Sequence, residues 1–368
     1  MELITEQMLA SLAIGAGILG TGGGGNPYLG YLEAREALRA GKRISLVSVD
    51  ELEEDALITS VGGIGAPVVG IERVSKGDEC LLALRTLEAH IGRTFTHLIP
   101  GEIGGANSMR PMIVAAQAGI PVVDGDGMGR AFPELQMDTF SIYGVRPTPG
   151  ALADPRGHTA IFDGIADPTT LERYARVVTV QMGGAAGYAF PPITAEELRR
   201  TAIQGTVRLA IRIGEAVEAA RAQHRDPVGA VLGVAGGERF FQGKIGDVER
   251  RLEGGFARGV VTLHGTGVDA GRTLVIDFQN ENLIARTNEG EVLAVVPDLI
   301  CLVDEDNAEP ITTELLRFGL RVAVLGIPAP ALLKTPEALA YVGPAAFGYP
   351  DVPYTPLSGV FGEPGAER

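Results

Sequence analysis

Glycines bunched at the ends of apolar runs are the strongest constraint in this sequence. The chain has 51 glycines among 368 residues, about twice the usual share. No Gly-X-Y period and no Ser- or Gln-rich tract accompanies them. They gather at 20–25, 62–65, 101–105, 125–129 and 183–187, each after a segment that reads as helix or strand. Glycine is favoured where backbones approach closely or take positive φ. The five loops are therefore expected to converge on one crevice.

Charge and composition narrow the partners. With 46 acidic against 31 basic residues and a net charge of −15, the chain lacks the basic surface that a phosphate backbone requires. Its 45% hydrophobic residues supply a core, which argues against disorder. The apolar stretch Leu9–Leu19 is too short to span a bilayer, and acids rather than Lys or Arg precede it. It reads as a buried helix with Thr5 as N-cap and Glu6 in its first turn. Cys80 and Cys301 stand far apart, unlike a secreted disulfide framework. A cytoplasmic homo-oligomer acting on a small molecule, with no nucleic acid or membrane partner, is the expectation.

Periodicity gives the architecture. Strands are expected at 44–49, 56–61 (stopping at Gly62-Gly63), 95–99 and 120–123, alternating with helices at 78–90 and 108–118, the latter capped by Asn107 or Ser108. Such alternation implies a parallel sheet covered on both faces. Residues 147–155 read as a Pro/Gly-rich excursion or linker, 177–180 as a strand, and 194–224 as one long amphipathic helix. From residue 230, short β-rich runs separated by Gly/Asn/Asp turns point to an antiparallel barrel or sandwich. The fold class is α/β: an N-terminal α/β domain with a parallel-rich sheet, then a mostly β domain. The divisions are 1–165, 166–228 (packing on the α/β domain), 229–350 and a tail at 351–368.

Three segments carry candidate chemistry. Gly20-Thr-Gly-Gly-Gly-Gly-Asn26-Pro27 precedes a helix, so the N–H groups of Gly22, Gly23, Gly24 and Gly25, with Asn26, suit an anion. It is neither a dinucleotide fingerprint nor a P-loop, because no strand precedes it and no Gly-Lys-Ser/Thr follows. The alternative is a tight turn packed under another backbone. Gly101-Glu-Ile-Gly-Gly-Ala-Asn107 lies at the carboxyl end of a strand, where open α/β sheets bind ligands. This brings in Glu102 and Asn107; a cap on a neighbouring helix is the alternative for Glu102. Asp124-Gly-Asp-Gly-Met-Gly-Arg130 continues to Glu134 and Gln136. Asp124 and Asp126 near Glu102 would form paired carboxylates with split pKa values, or ligands for a divalent cation. Gly183 and Gly184 offer further backbone donors or simple packing. Zinc-binding histidine spacing and a Gly-x-Ser-x-Gly elbow are both missing, and no organic cofactor is expected.

Taken together, Leu19-Gly-Thr-Gly-Gly-Gly-Gly-Asn-Pro-Tyr28, Glu102-Ile-Gly-Gly-Ala-Asn107 and the run from Asp124 to Met137 resemble the S-methyl thiohydantoin desulfurase family, formerly domain of unknown function 917. Gln181-Met-Gly-Gly184 and Val342-Gly-Pro-Ala-Ala-Phe-Gly-Tyr349 fit as well. The resemblance covers residues 5–350. It implies a three-layer α/β domain plus a β-barrel-like domain, and a role beside hydantoinases. The reaction implied is hydrolytic loss of methanethiol from an S-methyl thiohydantoin, leaving a hydantoin. On that chemistry Asp124 is assigned the base role, and Glu102 or Asp126 the acid or metal-ligand role. Arg130 is assigned to a substrate carboxylate or ring carbonyl, with N–H donors from Gly22–Gly25. A hydantoin-ring hydrolase or isomerase, a hydantoinase-associated subunit and a non-catalytic small-molecule or nucleotide binder are the alternatives.

Overall fold

The computed structural model describes residues 1–65, 69, 76–253 and 256–364; the last four residues of the tail lie outside them. The first half contributes β1 (Glu2–Leu3), β2 (Ser45–Val47), β3 (Leu57–Gly65), β4 (His97–Pro100), β5 (Val122–Val123), β6 (Gly125–Asp126), β7 (Gly150–Ala153), β8 (Thr159–Phe162), β9 (Ala185–Thr194) and β10 (Ile203–Gln204). Eight of these form one sheet in the order β1-β2-β5-β4-β3-β9-β7-β8. Its middle is parallel, and antiparallel strands flank it on both sides.

One face of the sheet packs against the helices Glu6–Leu19, Pro27–Arg39, Glu79–Ile91 and Arg110–Ala118, with Thr206–Ala222 behind them. Opposite it lie the Pro168–Gln181 and Ala195–Thr201 helices. This is the three-layer arrangement expected. Thr5 caps the first helix by accepting from the Met8 N–H at 3.2 Å, and Asn26 caps the second, with Pro27 in its first turn.

The second half forms a seven-stranded antiparallel half-barrel, in the order β15-β14-β13-β12-β11-β17-β16. Its members are β11 (Glu238–Glu253), β12 (Phe256–Gly265), β13 (Thr273–Gln279), β14 (Glu281–Thr287), β15 (Val292–Val295), β16 (Leu299–Asp304) and β17 (Arg321–Ile327). Strand β16 is buried on both faces, and its alternation joins the two cores. Ile300 and Leu302 enter the half-barrel core, whereas Leu299, Cys301 and Val303 enter the helical core of the first half.

Several local expectations are corrected. Residues 177–180 are helical because Asp167 caps the segment, Pro168 starts it, and only Leu171, Glu172, Ala175 and Thr179 are buried along its length. Val177 and Val180 are exposed, so the valine-rich run is the outer face of a helix. The helix expected at 194–224 is broken after Thr201. Ala202 is extended, Ile203–Gln204 pairs with Gly125–Asp126, and Gly205 at φ 77° restarts the chain. Residues 150–153 are strand β7 rather than a linker, and Gly150 admits the Phe190 ring. Strand β3 does not stop at Gly62-Gly63 but runs to Gly65, pairing with β9. The helix expected from Ser108 starts at Arg110, after a 3₁₀ turn, because the Asn107 side chain is engaged elsewhere.

Glycine also allows the Glu6–Leu19 and Thr206–Ala222 helices to touch. A Cβ at Gly15 would lie 1.9 Å from the Ala210 carbonyl oxygen, and one at Gly214 would lie 1.9 Å from that of Ser11. Backbone cannot yield as a side chain can. Gly214→Ala is therefore expected to destabilise the fold by at least about 1–3 kcal/mol. Gly233→Ala, in a helix with nothing near the new methyl, is expected to leave stability unchanged or raise it slightly. Thermal unfolding of the two variants checks this; an unchanged Tm for Gly214→Ala would contradict the packing.

Candidate active site

Three of the glycine loops meet at the carboxyl end of β4. Ala106 donates to the carbonyls of Gly24 (2.9 Å) and Gly25 (3.1 Å), and Gly127 donates to that of Gly101 at 3.0 Å. Contact between loops is close enough that a Cβ on Gly24 would sit 2.3 Å from the Gly104 oxygen. The Gly20–Asn26 loop also reaches the half-barrel. Asn282 donates to the Thr21 carbonyl and Thr313 to that of Gly22, both at 2.8 Å. The loop is thus a seam between the two halves.

Glu102 follows β4 and is buried at this seam. Its carboxylate accepts from Asn107 Nδ2 at 2.5 Å and from the Phe132 N–H at 3.2 Å. Asn107 is itself oriented by Gly63, donating to its carbonyl (3.1 Å) and accepting from its N–H (2.7 Å). Burial pushes the Glu102 pKa up to about 8, against the pull of those two donors; the Asp126 carboxylate adds to the rise.

A second carboxyl faces Glu102 from the half-barrel. Glu281 is buried, and a Cβ on Gly23 would lie 1.9 Å from its Oε1. Its Oε2 is buried without a hydrogen-bond partner. Burial first, then the Glu102 charge, raises its pKa well above the carboxylate range, while Arg130 pulls it down. Sequence reading missed Glu281. Gln279-Asn-Glu-Asn282 reads as a polar hairpin turn, yet all four residues are buried, with Asn280 at φ 58°. The one available signal was Gly23, whose missing side chain makes room for the carboxyl.

Arg130 holds this cluster together. It is fully buried, and Nε donates to Ala131 O (3.0 Å), Nη1 to Pro297 O (3.1 Å) and Asp298 O (2.8 Å), and Nη2 to Thr21 Oγ1 (2.8 Å) and Asn282 O (3.2 Å). A guanidinium has five N–H donors, and all are engaged within the protein. Its plane also lies over the Phe132 ring, 4.7 Å from the centroid. Arg130 is therefore placed as a clamp, with no donor left for a substrate.

The other acids are placed differently. Asp126 Oδ2 accepts from the N–H groups of Ile103, Met128 and Gly129 at 2.7–3.0 Å, which shapes the loop, and burial lifts its pKa to about 7. Asp124 turns to the Thr206–Ala222 helix, whose N-cap, Gly205, has no side chain. It accepts from the Arg208 N–H (3.1 Å) and from Arg208 Nη1 (2.7 Å). Glu134 accepts from Gln136 Nε2 and lies toward Arg176 and Arg258. Gly183 and Gly184 donate back to Val180 and Thr179, closing a helix. Among the described residues no three His, Cys, Asp or Glu side chains are grouped to hold a metal ion. Glu102, Asp124 and Asp126 form no such group.

This geometry generates a prediction. Asp124→Asn, which loses the charge opposite Arg208, is expected to lower stability by about 1–3 kcal/mol in chemical denaturation, with little change in turnover per folded molecule. Unaltered stability with lost turnover would contradict it. Arg130→Met, which leaves five acceptors unanswered, is expected to cost more, about 3–5 kcal/mol.

Comparison with known proteins agrees with this frame. No curated protein matches the chain. A crystal structure of a protein from Chromobacterium violaceum, solved by a structural genomics consortium, is 26% identical with a TM-score of 0.79, covering 97% of this chain and 100% of that one. Residues 7–164 match the S-Me-THD-like N-terminal domain and residues 166–357 the S-Me-THD-like C-terminal domain. Spanning nearly its whole length, these matches show that the chain belongs to the S-Me-THD-like family.

Proposed function

We propose that the protein is a hydrolase of hydantoin-like rings that releases methanethiol from an S-methyl thiohydantoin and leaves a hydantoin. Membership of the S-Me-THD-like family supports a hydantoin-related role. The observation that carries the chemistry is the buried Glu102, whose pKa of about 8 keeps its proton at neutral pH. A carboxyl in that state is a general acid.

The ring carbon bearing sulfur is amidine-like, and protonation of the adjacent nitrogen makes it electrophilic. Glu102 delivers that proton. Water adds to the carbon and returns a proton to the Glu102 carboxylate, which restores the acid. The C–S bond then breaks, the sulfur leaves with a proton as methanethiol, and the carbon keeps the water oxygen as a carbonyl. Asn107, Gly24, Gly25 and Gly63 are only partly buried, which gives the ring an approach to Glu102. Two buried free cysteines, Cys80 and Cys301, fit a reducing cytoplasmic setting.

Methanethiol release from an S-methyl thiohydantoin, followed with a thiol reagent, tests this reading. Glu102→Gln is expected to lower kcat by about 10²–10⁴-fold with the fold intact. In the wild type, kcat/KM should fall as pH rises through about 8, where Glu102 loses its proton. Wild-type rates in Glu102→Gln, or ring opening without thiol release, would overturn the assignment.

A further inference from the structure

The half-barrel contains a cavity of about 310 Å³ beyond the Glu102 cluster, lined by Arg250, Arg258, Phe278, Gln279, Phe347 and Tyr349. It does not belong to the Glu102 site, but one aromatic pair connects the two. Phe347 stacks on Phe132 with centroids 6.5 Å apart and planes at 20°, and the Phe132 N–H donates to Glu102.

The charges around this cavity are unevenly satisfied. Arg250 donates to the carbonyls of Thr313 and Leu316. Arg251, also at the wall, pairs with Glu253 at 3.2 Å, and Asp277 is paired with Arg286. Arg258 differs: its Nε is buried and has no hydrogen-bond partner. A buried guanidinium N–H without an acceptor is costly; Arg258 also lines the cavity and is only half-buried, so part of its side chain is open to a ligand oxygen.

We propose that the cavity binds a small organic monocarboxylate with a flat ring, its carboxylate on Arg258 and its ring among Phe278, Phe347 and Tyr349. The volume suits a ligand of that size, and a guanidinium suits a carboxylate geometrically. One charge is the limit set by the surroundings. Glu249 and Asp277 stand in the wall, and the Glu134 carboxyl is within electrostatic reach of Arg258, so a dianion meets repulsion. This site stands apart from the reaction proposed above and does not depend on it.

Calorimetric titration of the full chain with benzoate, benzamide and inorganic phosphate tests the inference. Benzoate is expected to bind saturably, and benzamide, a neutral isostere, at least about tenfold more weakly. Arg258→Met is expected to lose about the same factor for benzoate, with its Tm showing an intact fold. The inference is overturned if benzoate does not bind saturably, if benzamide binds equally well, or if phosphate binds as tightly as benzoate. Wild-type benzoate affinity in Arg258→Met overturns it as well.

Discussion

A single buried guanidinium organises this molecule. Arg130 has no solvent to fall back on, so each of its five N–H groups must find an acceptor within the protein. Those acceptors come from its own loop (Ala131), the glycine loop (Thr21) and the half-barrel (Asn282, Pro297, Asp298). Meeting all five requires the two halves and the loop between them to adopt one relative position. Burial lowers the Arg130 pKa to about 10, which leaves it charged at neutral pH, and Glu281 is the largest opposing charge. Replacing such a clamp with a well-packed apolar group is not simply destructive in every protein. Here four of the five acceptors are main-chain carbonyls, and the fifth is the Thr21 hydroxyl; nothing apolar can answer them.

The glycines are the other half of the same constraint. For Arg130 to reach Thr21, and for Glu281 to face Glu102, the loop at 20–25 must lie directly on Gly104–Gly105 and on the Glu281 carboxyl. Any side chain at Gly23 or Gly24 would collide with one of them. Strand β16 adds an apolar counterpart to the clamp, contributing alternate residues to both cores. The seam is therefore closed by hydrophobic burial and specified by polar geometry. Two carboxyls are held in it at a depth where neither ionises readily.

Much of this was legible in the sequence, and the failures have physical causes. The alternation of apolar runs and helices gave the layered sheet, and the even spacing of β-rich runs after residue 230 gave the half-barrel. The bunched glycines pointed to converging loops, and those at 20–25, 101–105 and 125–129 do meet. Local composition misled where tertiary context decides. Val177 and Val180 look like a strand but form the exposed face of a capped helix, and Ala202–Gly205 breaks a helix to pair with Gly125–Asp126. Pairing of charges was the least legible feature. Asp124 and Arg130 stand in one dense polar segment, yet one answers Arg208 and the other clamps the half-barrel. Glu281 was hidden because its partners lie far away along the chain.

The central claim is that the seam holds Glu102 as a neutral carboxyl at neutral pH. Infrared titration of the protonated carboxyl stretch, taken as the difference between wild type and Glu102→Gln, measures that state directly. The account predicts a difference band present at pH 7 that disappears as pH rises through about 8. A difference band that titrates away near pH 4, the ordinary range of a solvated glutamate, would contradict it.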